Sequence, residues 1–326
     1  MAYTTPLYGT GYEMGALPLS AGNILRAYIH STNPRTGTYC MRVEGAGAPY
    51  DAWARIPVPG TTSELYVSGY IYTQNYGYTA FGVVLDTGEV VELRKGISTY
   101  TWDLYIDGSL AQAGSIAVPP NQYQNVQAYF NIDNSGAVQT KIDGVDDIDY
   151  SGDTQPGAGN TISYVRQYQL WEASWSLWDD ISFGLGDWGG DIRFDGIVPD
   201  SDDSVEWTPS TGADNYALVD ERPPSTVDYV STSGSGLTDK YTLGDWSGAA
   251  KTPQFVVAWA YAKKDTAGSI QLRLLVDSNG DEGVSSALDL STSDAYYSHL
   301  VAEDPDAAGA WTDSTIDALK VGIRSA

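Results

Sequence analysis

VQAYFNIDNSGAVQTKIDGVDDIDYSGDT, residues 126–154, decides the fold class. Val126, Ala128, Phe130 and Ile132 recur at every second position. The run breaks at Asp133-Asn134-Ser135-Gly136, resumes through Val138 and Ile142, and breaks again at Asp143-Gly144. Strand side chains alternate between two faces, and Asn, Asp and Gly supply the tightly turned backbone that reverses a chain. Antiparallel strands with one buried face follow from that pattern. Downstream, NTISYVRQYQ (160–169) continues it, and WDDISFG (178–184) closes it with a strand whose apolar set is Leu177, Ile181 and Phe183.

The same reading extends upstream. In SELYVSGYIY (63–72), Leu65, Val67 and Ile71 share one parity while Tyr66, Ser68, Tyr70 and Tyr72 share the other, which predicts an apolar inner face and a tyrosine-lined outer face. A hairpin tip at Gln74 to Gly77 is expected next. Phe81–Leu85 and Val90–Leu93 flank the turn Asp86-Thr87-Gly88, and Trp102, Leu104 and Ile106 alternate up to Asp107-Gly108. Helical periodicity is confined to Thr312–Leu319, where Thr312 or Asp313 caps a short turn with Ile316 and Leu319 on one side.

Length and charge bound the function. A chain of 326 residues exceeds one small sandwich, so two domains are expected, each with its own core. The content of 42% hydrophobic residues, with 10 Trp and 24 Tyr, specifies a folded protein. Against 42 Asp and Glu stand 17 Lys and Arg, and the formal charge of −25 disfavours nucleic acid and anionic membranes as partners. Cys40 is the single cysteine, which excludes an internal disulfide and a cysteine-rich zinc site and leaves a buried thiol as the expectation. The opening residues lack a basic stretch followed by an apolar run, and no segment has the length of a membrane span. Synthesis in a reducing cytoplasm is expected.

The turns in LGDWGGD (185–191) mark a boundary, giving domains 1–185 and 186–326. In the second, Phe255, Val257, Trp259 and Tyr261 share a parity, Ile270, Leu272, Leu274 and Val276 follow, and Tyr297–Val301 and Leu319–Ile323 complete a smaller β-sandwich. The polar stretch Ser225–Thr238 reads as a long loop of the kind used as an interaction arm.

Candidate chemistry is sparse. In VDDIDY (145–150), Asp147 and Asp149 are expected on one face, but an acidic turn explains them better than a hydrolytic pair. DSNGDEG (277–283) begins like a calcium loop, yet Glu282 stands where such a loop needs Gly and Leu288 where it needs Glu, so a hairpin around Asn279-Gly280 is the reading. His30 and His299 fall in different domains, and His299 is expected in a structural role. No catalytic residue, metal ligand or cofactor is assigned. Tyr72, Tyr76 and Tyr78 crowd the expected hairpin tip and are the candidate ligand or interface residues, since flat rings with a polar edge serve sugars and protein partners alike. Trp171, Trp175 and Trp178 are assigned to core or inter-sheet packing.

Two resemblances meet in the chain. Residues from about Tyr12 to Gly184, with GYEMGALPL and NPRTGTYCMRV near their start, resemble the laminin-G-like, concanavalin-A-like jelly roll. The remainder, through WTPSTG (207–212), NYALVDE (215–221) and YYSH (296–299), is similar to a C-terminal domain of tailed-bacteriophage structural proteins. The resemblance implies an all-β protein, a concanavalin-A-like jelly-roll sandwich followed by a second, smaller β-sandwich. It implies a non-enzymatic component of the virion's outer surface, made in the host cytoplasm, decorating the capsid or associated with the tail through contacts with other virion proteins, as a homo-oligomer. The alternative is an adhesin that binds a host surface glycan, and after it a glycan depolymerase.

Overall fold

The computed structural model describes residues 3, 5–12, 24–45, 52–74, 78–96, 98–170, 174–246 and 252–326. Two compact units emerge, one formed by the described residues up to Phe194 and the other running from Asp195 to Ala326. Among the described residues every strand pair is antiparallel.

The first unit contains β1 (Thr5–Thr10), β2 (Ile24–Leu25), β3 (Ala27–His30), β4 (Cys40–Glu44), β5 (Ala52–Pro57), β6 (Glu64–Thr73), β7 (Tyr78–Leu85), β8 (Val90–Lys95), β9 (Trp102–Ile106), β10 (Ser109–Gln112), β11 (Tyr123–Asn131), β12 (Gly136–Ile142), β13 (Val145–Gly152), β14 (Ile162–Leu170) and β15 (Trp175–Leu185). Among the described residues one sheet has eight strands, ordered β13-β12-β11-β6-β15-β4-β3 with β1 also on β15. The other has seven, ordered β10-β9-β8-β7-β14-β5-β2. Their inner faces meet in one core, where Trp178 of β15 lies 5.7 Å from Phe81 of β7, ring to ring. Leu65, Val67 and Ile71 of β6 and Val126, Ala128 and Phe130 of β11 are buried on that side, as their parity requires. The β11–β12–β13 meander follows the alternation in the sequence, and Asp143 and Gly144 turn it with φ of +50° and +82°.

Two expectations about β6 and β15 are corrected. The strands on either side of Gln74–Gly77 do not form a hairpin: β6 pairs with β11 and β15, whereas β7 pairs with β8 and β14 in the other sheet. Alternation identifies a strand but leaves its partner open, and this connection changes sheets. Nor do Leu177, Ile181 and Phe183 share a face. A bulge shifts the β15–β6 register between Asp179 and Ser182, with Asp180 at φ +49°. One inserted residue exchanges the two faces for every residue beyond it. Leu177 therefore points outward with Trp175 and Asp179, while Trp178, Ile181 and Phe183 point into the core.

The second unit contains β16 (Pro199–Ser204), β17 (Thr208–Pro209), β18 (Val230–Ser231), β19 (Thr238–Leu243), β20 (Val256–Ala262), β21 (Gln271–Ser278), β22 (Asp281–Val284), β23 (Leu288–Asp289), β24 (Ala295–Val301), α1 (Asp313–Asp317) and β25 (Lys320–Ser325). The sheet β16-β19-β25-β21-β22, with β23 on β21, packs against the β20–β24 ribbon. Ala258 and Val301 of the ribbon are buried with Val276, Trp311, Ile316 and Leu319. The inward parity of β20 is thus Val256, Ala258, Ala260 and Ala262, opposite to the bulkier set that the sequence singles out. Small residues let the ribbon lie close to the sheet, and Tyr261 instead packs on Tyr296 at 4.7 Å on the outer face. Thr312 caps α1 in a reciprocal box with Thr315, and Ile316 beneath it is buried, as read from the sequence.

Candidate functional site

The outer face of the eight-stranded sheet carries rings and polar groups in cross-strand register. Tyr28 stands opposite Arg42, Arg42 opposite Leu177, Leu177 opposite Tyr72, and Tyr72 opposite Tyr123, a row across β3, β4, β15, β6 and β11. Glu44 and Trp175 are paired in the adjacent row. These side chains interlock. The Arg42 guanidinium lies 4.7 Å from the Trp175 ring centre and 5.9 Å from that of Tyr28. Trp175 stacks on Tyr72 at 5.6 Å with 6° between the planes, and Tyr123 meets Tyr72 edge-on at 5.5 Å. Such pairs favour offset and edge geometries because the ring quadrupole is negative on its face and positive at its edge.

Polar bonds fix the ladder's ends. The Tyr28 hydroxyl donates to Glu44 Oε2 at 2.6 Å, and Arg42 Nη2 donates to Glu44 Oε1 at 3.1 Å. The Tyr28 hydrogen bond, with Arg42 beside it, holds the Glu44 carboxyl below its ordinary range. His30 Nε2 lies 3.4 Å from Arg42 Nη1, and the Tyr123 hydroxyl donates to the Asn33 carbonyl at 2.8 Å. Tyr28 is 40% exposed and the other rings are half-buried, so the ladder offers ring edges and the Tyr28, Arg42 and His30 polar atoms on a rigid surface.

The opposite end of this face is closed by the chain from Gly186 to Phe194. The Gly190 carbonyl accepts from Ser68 Oγ at 3.1 Å, and the Gly190 N–H donates to Gln127 Oε1 at 3.2 Å. Trp188 meets Tyr66 edge-on at 5.5 Å, and Asp191 accepts from the Tyr70 hydroxyl at 2.6 Å. Arg35 lies over the Tyr70 ring and joins Asp180 at 2.5 Å to Asp191 at 2.7 Å. Beneath it, Asp179 accepts the Arg35 and Asp180 backbone N–H groups at 2.8 and 2.9 Å. Burial, with Asp180 next in the chain, pushes the Asp179 carboxyl up to about 8; burial also raises Asp180. This cover explains why Ser68, Asn125, Gln127 and Asp179 are buried although alternation turns them outward.

Of the residues singled out in the sequence, Tyr72 is a rung of the ladder, while Tyr76 and the side chain of Tyr78 lie outside the described residues, as does Trp171. Trp178 is in the core as expected, but Trp175, three residues earlier on the same unbroken part of β15, lies on the outer face. Tyr28, Arg42, Tyr123 and Trp175 were not assembled from the sequence, because the ladder draws them from strands far apart in the chain. Their shared signal was parity within each strand, and register between strands was the missing part.

The other candidates resolve into structural roles. A register shift in the β12–β13 pair separates Asp147 from Asp149, so the shared face expected of them is not formed. Asp147 Oδ1 accepts from Ser115 N, Ser115 Oγ and Ile116 N, while Asp149 accepts from Gln139. Asn279 and Gly280, with φ of +52° and +102°, form the turn of the β21–β22 hairpin. Two of its acids are paired: Lys240 binds Asp277 and Glu282, both at 2.6 Å, and Arg324 binds Glu282 at 2.8 Å. In WTPSTG and NYALVDE, Trp207 and Asn215 serve a buried carboxylate. Asp239 accepts from the Glu206 and Trp207 N–H groups, both at 2.7 Å, from Asn215 Nδ2 at 2.6 Å and from the Tyr241 hydroxyl at 3.1 Å. His299 of YYSH is half-buried, and burial lowers its imidazole below the ordinary range. Cys40 is fully buried, its thiol directed to the His30 carbonyl.

No family model matches the chain, and no curated protein does. Among solved structures it is similar to a sialidase at 12% identity, covering 57% of this chain and 19% of that one, with a TM-score of 0.43. A Bacillus subtilis protein of unknown function with a galectin-like fold matches at 10% identity over 56% of this chain and 96% of its own, TM-score 0.43. A carbohydrate binding module from Bacillus subtilis matches at 10% identity over 50% of this chain and 98% of its own, TM-score 0.33. The chain thus spans about a fifth of the sialidase that it matches.

Proposed function

We propose that this chain is a non-enzymatic surface protein of a tailed-bacteriophage particle that adheres to a saccharide through the open end of its eight-stranded sheet. The observation that carries the adhesive role is the Tyr28–Arg42–Trp175–Tyr72–Tyr123 ladder. Its rings are ordered before any ligand arrives, so binding need not pay to immobilise them, and it combines ring edges with hydroxyl, guanidinium and imidazole groups that serve sugar hydroxyls. The particle setting rests on the WTPSTG, NYALVDE and YYSH resemblance. Glycan-array binding, followed by calorimetry on the best neutral and charged hits, tests the adhesive role: Trp175→Ala and Tyr28→Ala each weaken binding about tenfold or more. Retained affinity in both variants, with the fold intact, refutes this site. Sizing the glycan after incubation separates adhesion from depolymerisation, since an adhesin leaves chain length unchanged.

A second reading, docking on another virion protein, is favoured by one feature of the second unit. Val227 and Tyr229, in the polar loop before β18, are 73% and 52% exposed. Apolar side chains held out on a loop suit a protein contact. Antibody labelling of particles tests the position: uniform labelling of the head supports decoration, and labelling of the tail tip supports adhesion.

A further inference from the structure

The seven-stranded sheet has its own outer face, on the other side of the sandwich, which carries Arg55, Arg94 and Arg166 among aromatic rings. Arg55 of β5 stands directly opposite Arg166 of β14, which is opposite Gly82, which is opposite Glu92, which is opposite Tyr105. Arg166 Nη2 reaches Glu92 Oε2 at 2.5 Å across the strand that holds Gly82. A Cβ on Gly82 would stand 2.3 Å from the Val91 carbonyl oxygen and 2.5 Å from Glu92 Cα, so the chain approach here requires glycine. Arg94 takes the other oxygen of Glu92 at 2.8 Å. The buried carboxylate is thereby saturated, and Asp103 beside Arg94 accepts from Thr101 Oγ1 and Gly114 N.

Arg55 is left over. Its guanidinium lies 4.5 Å from the Trp53 ring centre and 6.0 Å from that of Tyr164, and among the described residues no carboxylate pairs with it. Arg55 Nε and Arg166 Nε are both buried donors without an acceptor. Burial first, and Arg166 second, lower the Arg55 pKa. Like charges directly opposite each other on a sheet repel, and this protein has 42 acidic residues to place against 17 basic ones. Arg166 has Glu92, but Arg55, which faces it, has no acid among the described residues, the reverse of what a solvated face of this chain would carry.

We propose that Arg55 and Arg166 form a second binding site, separate from the aromatic ladder, for the carboxylate of a uronate-containing saccharide. An arginine fork matches a planar carboxylate with paired N–H donors, and an anion placed between the two guanidiniums removes their repulsion. Trp53 and Tyr164 flank Arg55, Tyr168 lies under Arg166 at 4.6 Å and Glu92 holds Arg166 Nη2, so both guanidiniums are oriented in advance and meet a ligand through their terminal nitrogens. A uronate presents its carboxylate directly on an apolar-faced ring, which the flanking rings and the exposed Leu25, opposite Trp53, can receive.

Calorimetry at low ionic strength with a galacturonate trisaccharide, its neutral galactose counterpart and acetate tests the site. The uronate trimer binds, the neutral trimer binds more weakly on the order of tenfold or more, and acetate alone does not displace the trimer at equal concentration. Arg55→Gln weakens the uronate trimer on the order of tenfold or more, and Arg55→Lys, which keeps the charge but loses the fork, recovers only part of that. Arg55 gives up no ion pair in either variant, so both are expected to fold, with circular dichroism as the check. Val145→Ala, at an exposed position outside both surfaces, leaves uronate binding unchanged. Equal binding of the two trimers, displacement by acetate, or undiminished affinity in Arg55→Gln overturns the proposal.

Discussion

Replacing Asp179 with Asn is expected to change how the stability of the first unit depends on pH. Asp179 is fully buried, and burial beside Asp180 pushes its carboxyl up to about 8 in the folded chain. An unfolded Asp titrates near 3.9. Between those values the folded state holds a proton that the unfolded state has released, so the unfolded state binds fewer protons and stability falls as pH rises. The contribution is complete below about pH 4 and is lost as pH climbs through about 8, at roughly 1.4 kcal/mol per pH unit for one proton. From pH 5 to pH 7 that amounts to about 3 kcal/mol. Asparagine has no proton to lose, so the variant lacks this slope. It also exchanges an acceptor oxygen for an NH2 group near the Arg35 and Thr36 N–H donors, a constant cost that leaves the slope untouched. Urea unfolding of both proteins at pH 5, 6 and 7, followed by tryptophan fluorescence, gives the two profiles. Their stability difference should shift by about 3 kcal/mol in favour of the variant over this range. Parallel profiles would refute the reasoning.

Two further outcomes concern the second unit. Asp239→Ala strips the acceptor from two backbone N–H groups, the Asn215 amide and the Tyr241 hydroxyl, and should cost at least about 3 kcal/mol in thermal or urea unfolding. A loss below about 1 kcal/mol would show that other acceptors replace it. Thr312→Ala removes the cap of α1 and should cost about 1 kcal/mol, while Thr312→Ser should restore most of it, both read from urea midpoints.

How legible each part was follows from the range of the interaction that decides it. The Asp143-Gly144 and Asn279-Gly280 turns were readable because a positive φ is a property of the residues themselves, and α1 because its cap and Ile316 lie within one turn of chain. The tyrosine-lined outer face of β6 was equally plain from parity. Parity failed at Leu177, where a bulge reverses the faces, and at β20, where close packing of the ribbon chose alanines over larger side chains for the inside. The Asp147–Asp149 expectation failed for the same reason as Leu177, since another register shift lies beside those residues.

The amino-acid order alone determined that this protein is β-built, where many of its strands run and turn, and which parity carries the rings, because alternation and turn chemistry act over a few neighbouring residues. Only the tertiary structure decided which strands lie side by side. That choice brought Tyr28, Arg42, Trp175, Tyr72 and Tyr123 into one ladder and set Arg55 against Arg166 on the opposite sheet. Register between distant strands is fixed by collective packing of the core, and no local stretch of sequence encodes it.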